Sequence, residues 1–201
     1  MKRALWLIVL YAGVCAVLFA QDAGKGSGET KTYKIGDVGP AGGIVFYDKG
    51  VYSNDKSDGG GAEWRYLEAA PAETEFAAEW GTYNFNVNGT GPTIGSGKGN
   101  TQLIVERLRT LGESRCAAQL CEKLSYKGFT DWFLPSKDEL NLMYKNLKQK
   151  NLGKFETEIS YWSSSEVNNE CAWYQNFKNG LQYNYGNYKY NAFMVRPIRA
   201  F

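Results

Sequence analysis

Cys116, Cys121 and Cys171 are the natural nucleophiles of this sequence, and no imidazole can activate them, because the chain contains no histidine. That absence removes Ser-His-Asp triads, Cys-His dyads and His-ligated zinc, and with them most familiar hydrolase chemistry. The segment Gly95-Ser96-Gly97-Lys98-Gly99-Asn100-Thr101 has the texture of a phosphate-binding loop. Its spacing fails: Pro92 stands where the first glycine belongs, and Gly99 where Ser or Thr would hold Mg²⁺. Asp55, Asp58 and the glycines after them offer oxygen ligands of the kind calcium takes, but too few and without a terminal Glu, so a solvated turn is expected. The residues therefore assign no catalytic group, no metal and no cofactor.

Binding chemistry is better supplied. Between Asn168 and Asn191 the chain concentrates seven Asn and five Tyr with few aliphatic residues. Tyr offers a large rigid amphipathic surface at low entropic cost and Asn offers adaptable hydrogen bonding, the pairing found in binding loops. The expected ligand contacts are Tyr174, Asn176, Lys178, Gln182, Tyr183, Asn184, Tyr185, Asn187, Tyr188 and Asn191, all presented outward. The competing reading is a twisted β-ribbon in which Tyr satisfies strand propensity and Asn supplies turns. Asn is depleted in strands, and so many of them in a β context favours a binding surface.

Several elements must position that tract. Residues 1–20 carry Lys2 and Arg3, then an apolar run to Ala20, and turn polar at Gln21-Asp22, which reads as a cleaved secretory signal; a buried helix or membrane anchor is the alternative. A lipid anchor at Cys15 is a further alternative, with Val14 a poor residue before such a site. Residues 21–32 contain no bulky apolar side chain and read as a flexible leader, so the domain is expected over 33–201. Without Lys2 and Arg3, 21 basic residues face 21 acidic ones, which argues against capture of nucleic acid or another polyanion. In an exported chain Cys116, Cys121 and Cys171 permit one disulfide at most; a bridge from either of the first two to Cys171 and three buried thiols both stay open.

Within the domain, Gly42–Tyr47 and Trp64–Ala69 read as strands, and Gly81–Asn100, rich in Gly and Asn, as a long loop that includes the surface sequon Asn88-Gly89-Thr90. Asn100 is expected to cap a helix burying Leu103, Ile104, Leu108 and Leu111, and Ser114 to start a second with Ala117, Leu120, Cys121 and Leu124 inward. The capping box Ser136 to Glu139 opens a third, with Leu140, Met143, Tyr144 and Leu147 on one face. Asp131-Trp132-Phe133-Leu134-Pro135 ahead of it reads as core and cap. Tyr161–Ser165, Cys171–Phe177, Leu181–Tyr185 and Ala192–Ile198 follow as strands. Strands, then helices, then antiparallel strands describe an α+β domain with a C-terminal antiparallel sheet, not a doubly wound one.

Five ordered motifs then coincide: Gly36-Asp37 through Gly42-Gly43-Ile44-Val45-Phe46-Tyr47, Trp64 to Pro71, Asp131 to Leu140, Tyr161 to Glu166, and Val195-Arg196-Pro197-Ile198-Arg199-Ala200-Phe201. Together they resemble the exported bacterial domains named for the C-terminal domain of the Legionella collagen-like adhesin. The resemblance implies a C-type-lectin-like fold whose first and last strands pair and whose late strands and loops carry the ligand surface. The Asn/Tyr tract before the C-terminal motif is similar to variable proteins diversified by retroelements, including those of treponemal spirochaetes. It implies an exported, non-catalytic adhesin or receptor for a protein or other macromolecule. The Glu-Pro-Asn and Trp-Asn-Asp signatures of calcium-dependent sugar binding are absent. The fold is also similar to that of formylglycine-generating enzymes, which keeps a thiol enzyme using Cys171 as one alternative and a self-associating structural surface protein as another.

Overall fold

In the computed structural model, residues 31–53 and 63–201 are described. The expected signal, the Cys15 anchor, most of the leader and the Asp55/Asp58 turn lie outside them. Residues 32–201 form one compact unit.

Among the described residues, two sheets and three α-helices build it. Strands β1 (Ile44–Ser53) and β2 (Trp64–Ala69) pair antiparallel, with Ile44 opposite Ala69. After β3 (Phe76–Glu79) come helices α1 (Gly97–Arg109), α2 (Ala117–Lys123) and α3 (Lys137–Asn146). Strands β4 (Ser160–Glu166), β5 (Ala172–Asn176), β6 (Gln182–Tyr183), β7 (Ala192–Val195) and β8 (Ile198–Ala200) complete the chain. The smaller sheet has the order β1-β2-β8 and the larger β3-β7-β4-β5-β6. This is the α+β class expected from the sequence. Its closure differs from expectation: the last strand pairs with β2 rather than with β1, placing Ala69 opposite Ile198 and Leu67 opposite Ala200.

The expected strand Ala192–Ile198 is two strands, because Arg196-Pro197 interrupts it and Pro197 has no N–H for a ladder. β7 therefore lies in the larger sheet and β8 in the smaller one. Both arginines here are buried. Arg196 donates to Glu75, to the Ala70 carbonyl and to the Gly153 carbonyl. Arg199 meets both oxygens of Asp131 and one of Glu68, whose carboxylate also accepts from Ala41 and Gly43 N–H groups. The C-terminal motif is thus an internal clamp between segments distant in sequence.

α1 and α2 pack Ile104, Val105, Leu108, Ala118 and Cys121 against Trp162, Tyr174 and Val195 of the larger sheet. α3 places Leu140 and Met143 beside Phe46, Tyr161, Phe177 and Ile198. α3 begins as expected: Ser136 Oγ accepts from Glu139 N–H and the Glu139 carboxylate accepts from Ser136 N–H. The other helix starts move. α1 is preceded by Ser96, and Asn100 is buried inside it, bracing Gly91 through both its amide oxygen and its amide nitrogen. α2 starts after Cys116, and Leu111, expected in the core, is exposed in the turn between helices. The sequon lies on an exposed loop, and Trp132, Phe133 and Leu134 are buried, both as the sequence indicates.

Candidate functional site

The phosphate-loop lookalike resolves first, because its backbone donors already have an anion. Glu139 takes a hydrogen bond from Gly95 N–H at 2.8 Å and one from Ser136 N–H at 2.7 Å, and its carboxylate also meets Gly97 N–H. One buried side chain therefore serves the starts of two helices. Burial outweighs these bonds and pushes its pKa up to about 7. No other anion can use the same N–H groups while Glu139 holds them. Among the described residues, no group of three His, Cys, Asp or Glu side chains is arranged to hold a metal ion.

The three cysteines among the described residues, Cys116, Cys121 and Cys171, are free thiols and all buried, so no disulfide joins them. Cys116, just before α2, and Cys121, within it, sit in the main core, where desolvation pushes Cys116 up to about 11 and Cys121 well above its ordinary value. Desolvation also raises Cys171, which is the wrong direction for a reactive thiolate.

The Asn/Tyr tract divides by what each side chain touches. Tyr174 was expected outward and is inward: it belongs to the main core, stacks on Tyr183 at 5.3 Å and packs against Trp162 and Phe193. The cause is parity, since Tyr174 lies opposite Trp162 in the β4–β5 ladder and shares its inward face. Half-buried Tyr183 follows Tyr174 as its β6 partner. Asn176 holds a turn by accepting from Lys178 and Asn179 N–H groups, and Asn191 holds another by accepting from Tyr188 N–H. Asn168 and Asn179 do the same for their own neighbours. Asn187 donates to the Tyr174 hydroxyl, Gln182 to the Lys137 carbonyl, and Lys178 pairs with Glu158. Much of the Asn content therefore follows the turn-forming reading. Asn184, Tyr185 and Tyr188, together with Lys178 in its surface ion pair, are the exposed members of the expected set, with Tyr185 at 70% exposure.

Two tyrosines join them that the expected set lacked. Tyr83, from the loop before α1, meets Tyr188 at 5.3 Å and Tyr190 at 5.5 Å between ring centres, and Tyr188 lies 5.4 Å from Tyr190. All three rings are exposed. Tyr83 also donates to Glu170, and Asn169 donates to Asn84, so the loop and the late tract form one face. The sequence signal for the loop was present: Tyr83-Asn84-Phe85-Asn86 repeats the Tyr/Asn texture of the tract.

Lys189 fixes this face from beneath. Its side chain is fully buried and pairs with Glu166, donates to the Phe85 carbonyl at 2.7 Å, and lies over the Trp80 ring. Glu166 in turn accepts from Val87 and Asn88 N–H groups, and the Lys189 carbonyl accepts from Trp80 N–H. Burial pulls the Lys189 pKa down, while the adjacent carboxylate acts in the opposite direction.

Fold and face together define an α+β domain that presents one exposed tyrosine cluster. The chain belongs to the Lcl C-terminal domain family, whose model matches residues 74–199. A fimbrial protein from Bacteroides ovatus ATCC 8483 is a structural neighbour, with a TM-score of 0.55 and 16% identity over 79% of this chain and 44% of that one. This chain thus spans less than half of that protein's length, and the likeness is one of fold. Among curated proteins none matches.

Proposed function

We propose that this protein is an exported, non-catalytic adhesin or receptor that binds a protein or other macromolecule through its tyrosine face on a C-type-lectin-like scaffold. The observation that carries this reading is the exposed Tyr83–Tyr188–Tyr190 cluster with Tyr185 and Asn184 beside it, held on a backbone anchored by buried Lys189. Solvated aromatic rings on a rigid support are suited to become the buried anchors of an interface. Family membership and a signal-like N-terminus agree with a surface location.

Retroelement diversification is the finer part of the proposal, and it makes a positional demand. Sequencing codons 160–201 across a population of producing cells should find changes at Asn184, Tyr185, Asn187, Tyr188 and Tyr190, with Tyr174 and Lys189 fixed. Changes spread evenly over buried and exposed positions would overturn the diversification, and an invariant tract would leave a fixed binding surface. Binding itself is tested with beads carrying the domain on arrayed fibronectin, laminin and collagen. Replacing Tyr185, Tyr188 and Tyr190 with Ser should abolish adhesion to whichever array elements capture the parent, and retained adhesion would move the site elsewhere.

The thiol-enzyme alternative needs an accessible, low-pKa Cys171, and burial acts against both properties. Native protein should react with dithionitrobenzoate far more slowly than urea-unfolded protein at all three thiols. Fast reaction at Cys171 alone would revive that alternative.

A further inference from the structure

A second concavity lies away from the tyrosine face and shares no residue with it. It encloses about 250 Å³ where the start of β2, the first turn of α1, the Asp131–Phe133 segment and β8 converge. A water in the liquid occupies roughly 30 Å³, so this space exceeds a packing defect, yet it is smaller than a drug-sized pocket. It suits one amino acid. Trp64, Leu67 and Phe133 supply apolar walls.

The charges around it sort by whether they are already neutralised. Arg199 is matched by Asp131 and Glu68, with both Asp131 oxygens accepting at 2.8 Å. Glu139 is held by the N–H groups at the two helix starts. Two lining side chains remain, Lys98 on the first turn of α1 and Glu63 beside β2, and neither makes an ion pair or side-chain hydrogen bond among the described residues. Lys98 also borders an adjoining space of about 140 Å³, where Glu122 is engaged by Arg109. The unmatched charges are thus one cation and one anion beside an apolar cleft.

We propose that this cavity binds a small zwitterion with an apolar body, of the class of hydrophobic α-amino acids, its carboxylate toward Lys98 and its ammonium toward Glu63. Charge-assisted hydrogen bonds to the two charged groups on its Cα select the zwitterion, while the walls select the apolar side chain. This site is independent of the adhesin reading, and either can fail alone.

Titration calorimetry on the folded chain with L-phenylalanine, phenylacetate and phenethylamine tests it. L-phenylalanine should bind saturably and more tightly than either single-charge analogue. Lys98→Met should weaken L-phenylalanine and phenylacetate about tenfold, and Glu63→Gln should weaken L-phenylalanine while sparing phenylacetate. Thermal unfolding of both variants should match the parent, since neither residue is engaged by the fold. Saturable binding of none of the probes, equal affinity for phenylacetate and L-phenylalanine, or unchanged affinity in Lys98→Met would each overturn the proposal.

Discussion

Lys189 buries its ammonium against the Glu166 carboxylate while the residues on either side of it, Tyr188 and Tyr190, turn their rings to solvent. One turn of backbone, closed by Asn191 N–H on the Tyr188 carbonyl, therefore carries an internal ion pair and an external aromatic pair. Because Glu166 also accepts from Val87 and Asn88, the pair ties the loop before α1 to the late tract. The tyrosine cluster is assembled from those same two segments.

Removing one partner of such a pair strands the other charge. Lys189→Met or Glu166→Leu alone should each lower unfolding stability by about 3–5 kcal/mol, measured by urea denaturation. The double variant should lose clearly less than the sum of the two, since a matched apolar pair leaves no orphan charge. Additive losses would show that the two groups do not act together.

Tyr174 and Tyr185 are eleven positions apart and should behave oppositely. Tyr174→Ala opens the core beside Trp162 and should cost about 3–5 kcal/mol. Tyr185→Ala, at a ring 70% exposed, should change stability by no more than about 0.5 kcal/mol. Thermal melts of the two single variants distinguish them directly.

Glu139 gives the domain a pH dependence of defined sign. Its folded-state pKa of about 7 lies above the ordinary 4.5, so the folded state holds this proton more tightly than the unfolded chain does. The associated stability is full below pH 4.5 and is lost as pH rises to about 7. Across that window the loss amounts to about 3 kcal/mol. Glu139→Gln should remove this slope, so the parent's stability relative to the variant should fall as pH rises. A gap that stays constant from pH 4.5 to 8 would contradict the assignment.

Gly97 is required by space rather than by backbone angle. A Cβ there would lie 2.2 Å from Glu139 Oε2 and 3.0 Å from the Leu134 carbonyl. Gly97→Ala should cost about 1–3 kcal/mol through overpacking. Gly91→Ala, whose added Cβ would meet only Ser96 at an ordinary 3.5 Å, serves as the comparison and should stay close to the parent in the same denaturation series.

Much of this was legible in local sequence. The Ser136–Glu139 capping box, the buried Trp132–Leu134 element and the α+β order of elements follow from interactions within a few residues, which spacing alone can specify. The rest was ambiguous where a local signal had two physical outcomes. The Gly95–Thr101 stretch has the donors of an anion site, but its anion is Glu139, 44 residues from Gly95. The asparagines of the tract suggest contact residues, yet Asn168, Asn176, Asn179 and Asn191 spend their side-chain oxygens on turns.

The sequence by itself determined composition, the aromatic and Asn-rich character of the late segment, the missing histidine chemistry and the family motifs. Only the tertiary structure decided which tyrosines face water. Tyr occurs at both parities between Leu181 and Tyr190, so alternation cannot choose a face. That choice was made by long-range partners: Trp162 draws Tyr174 inward, Glu166 draws Lys189 inward, and Tyr83 arrives from a segment a hundred residues away to complete the exposed cluster.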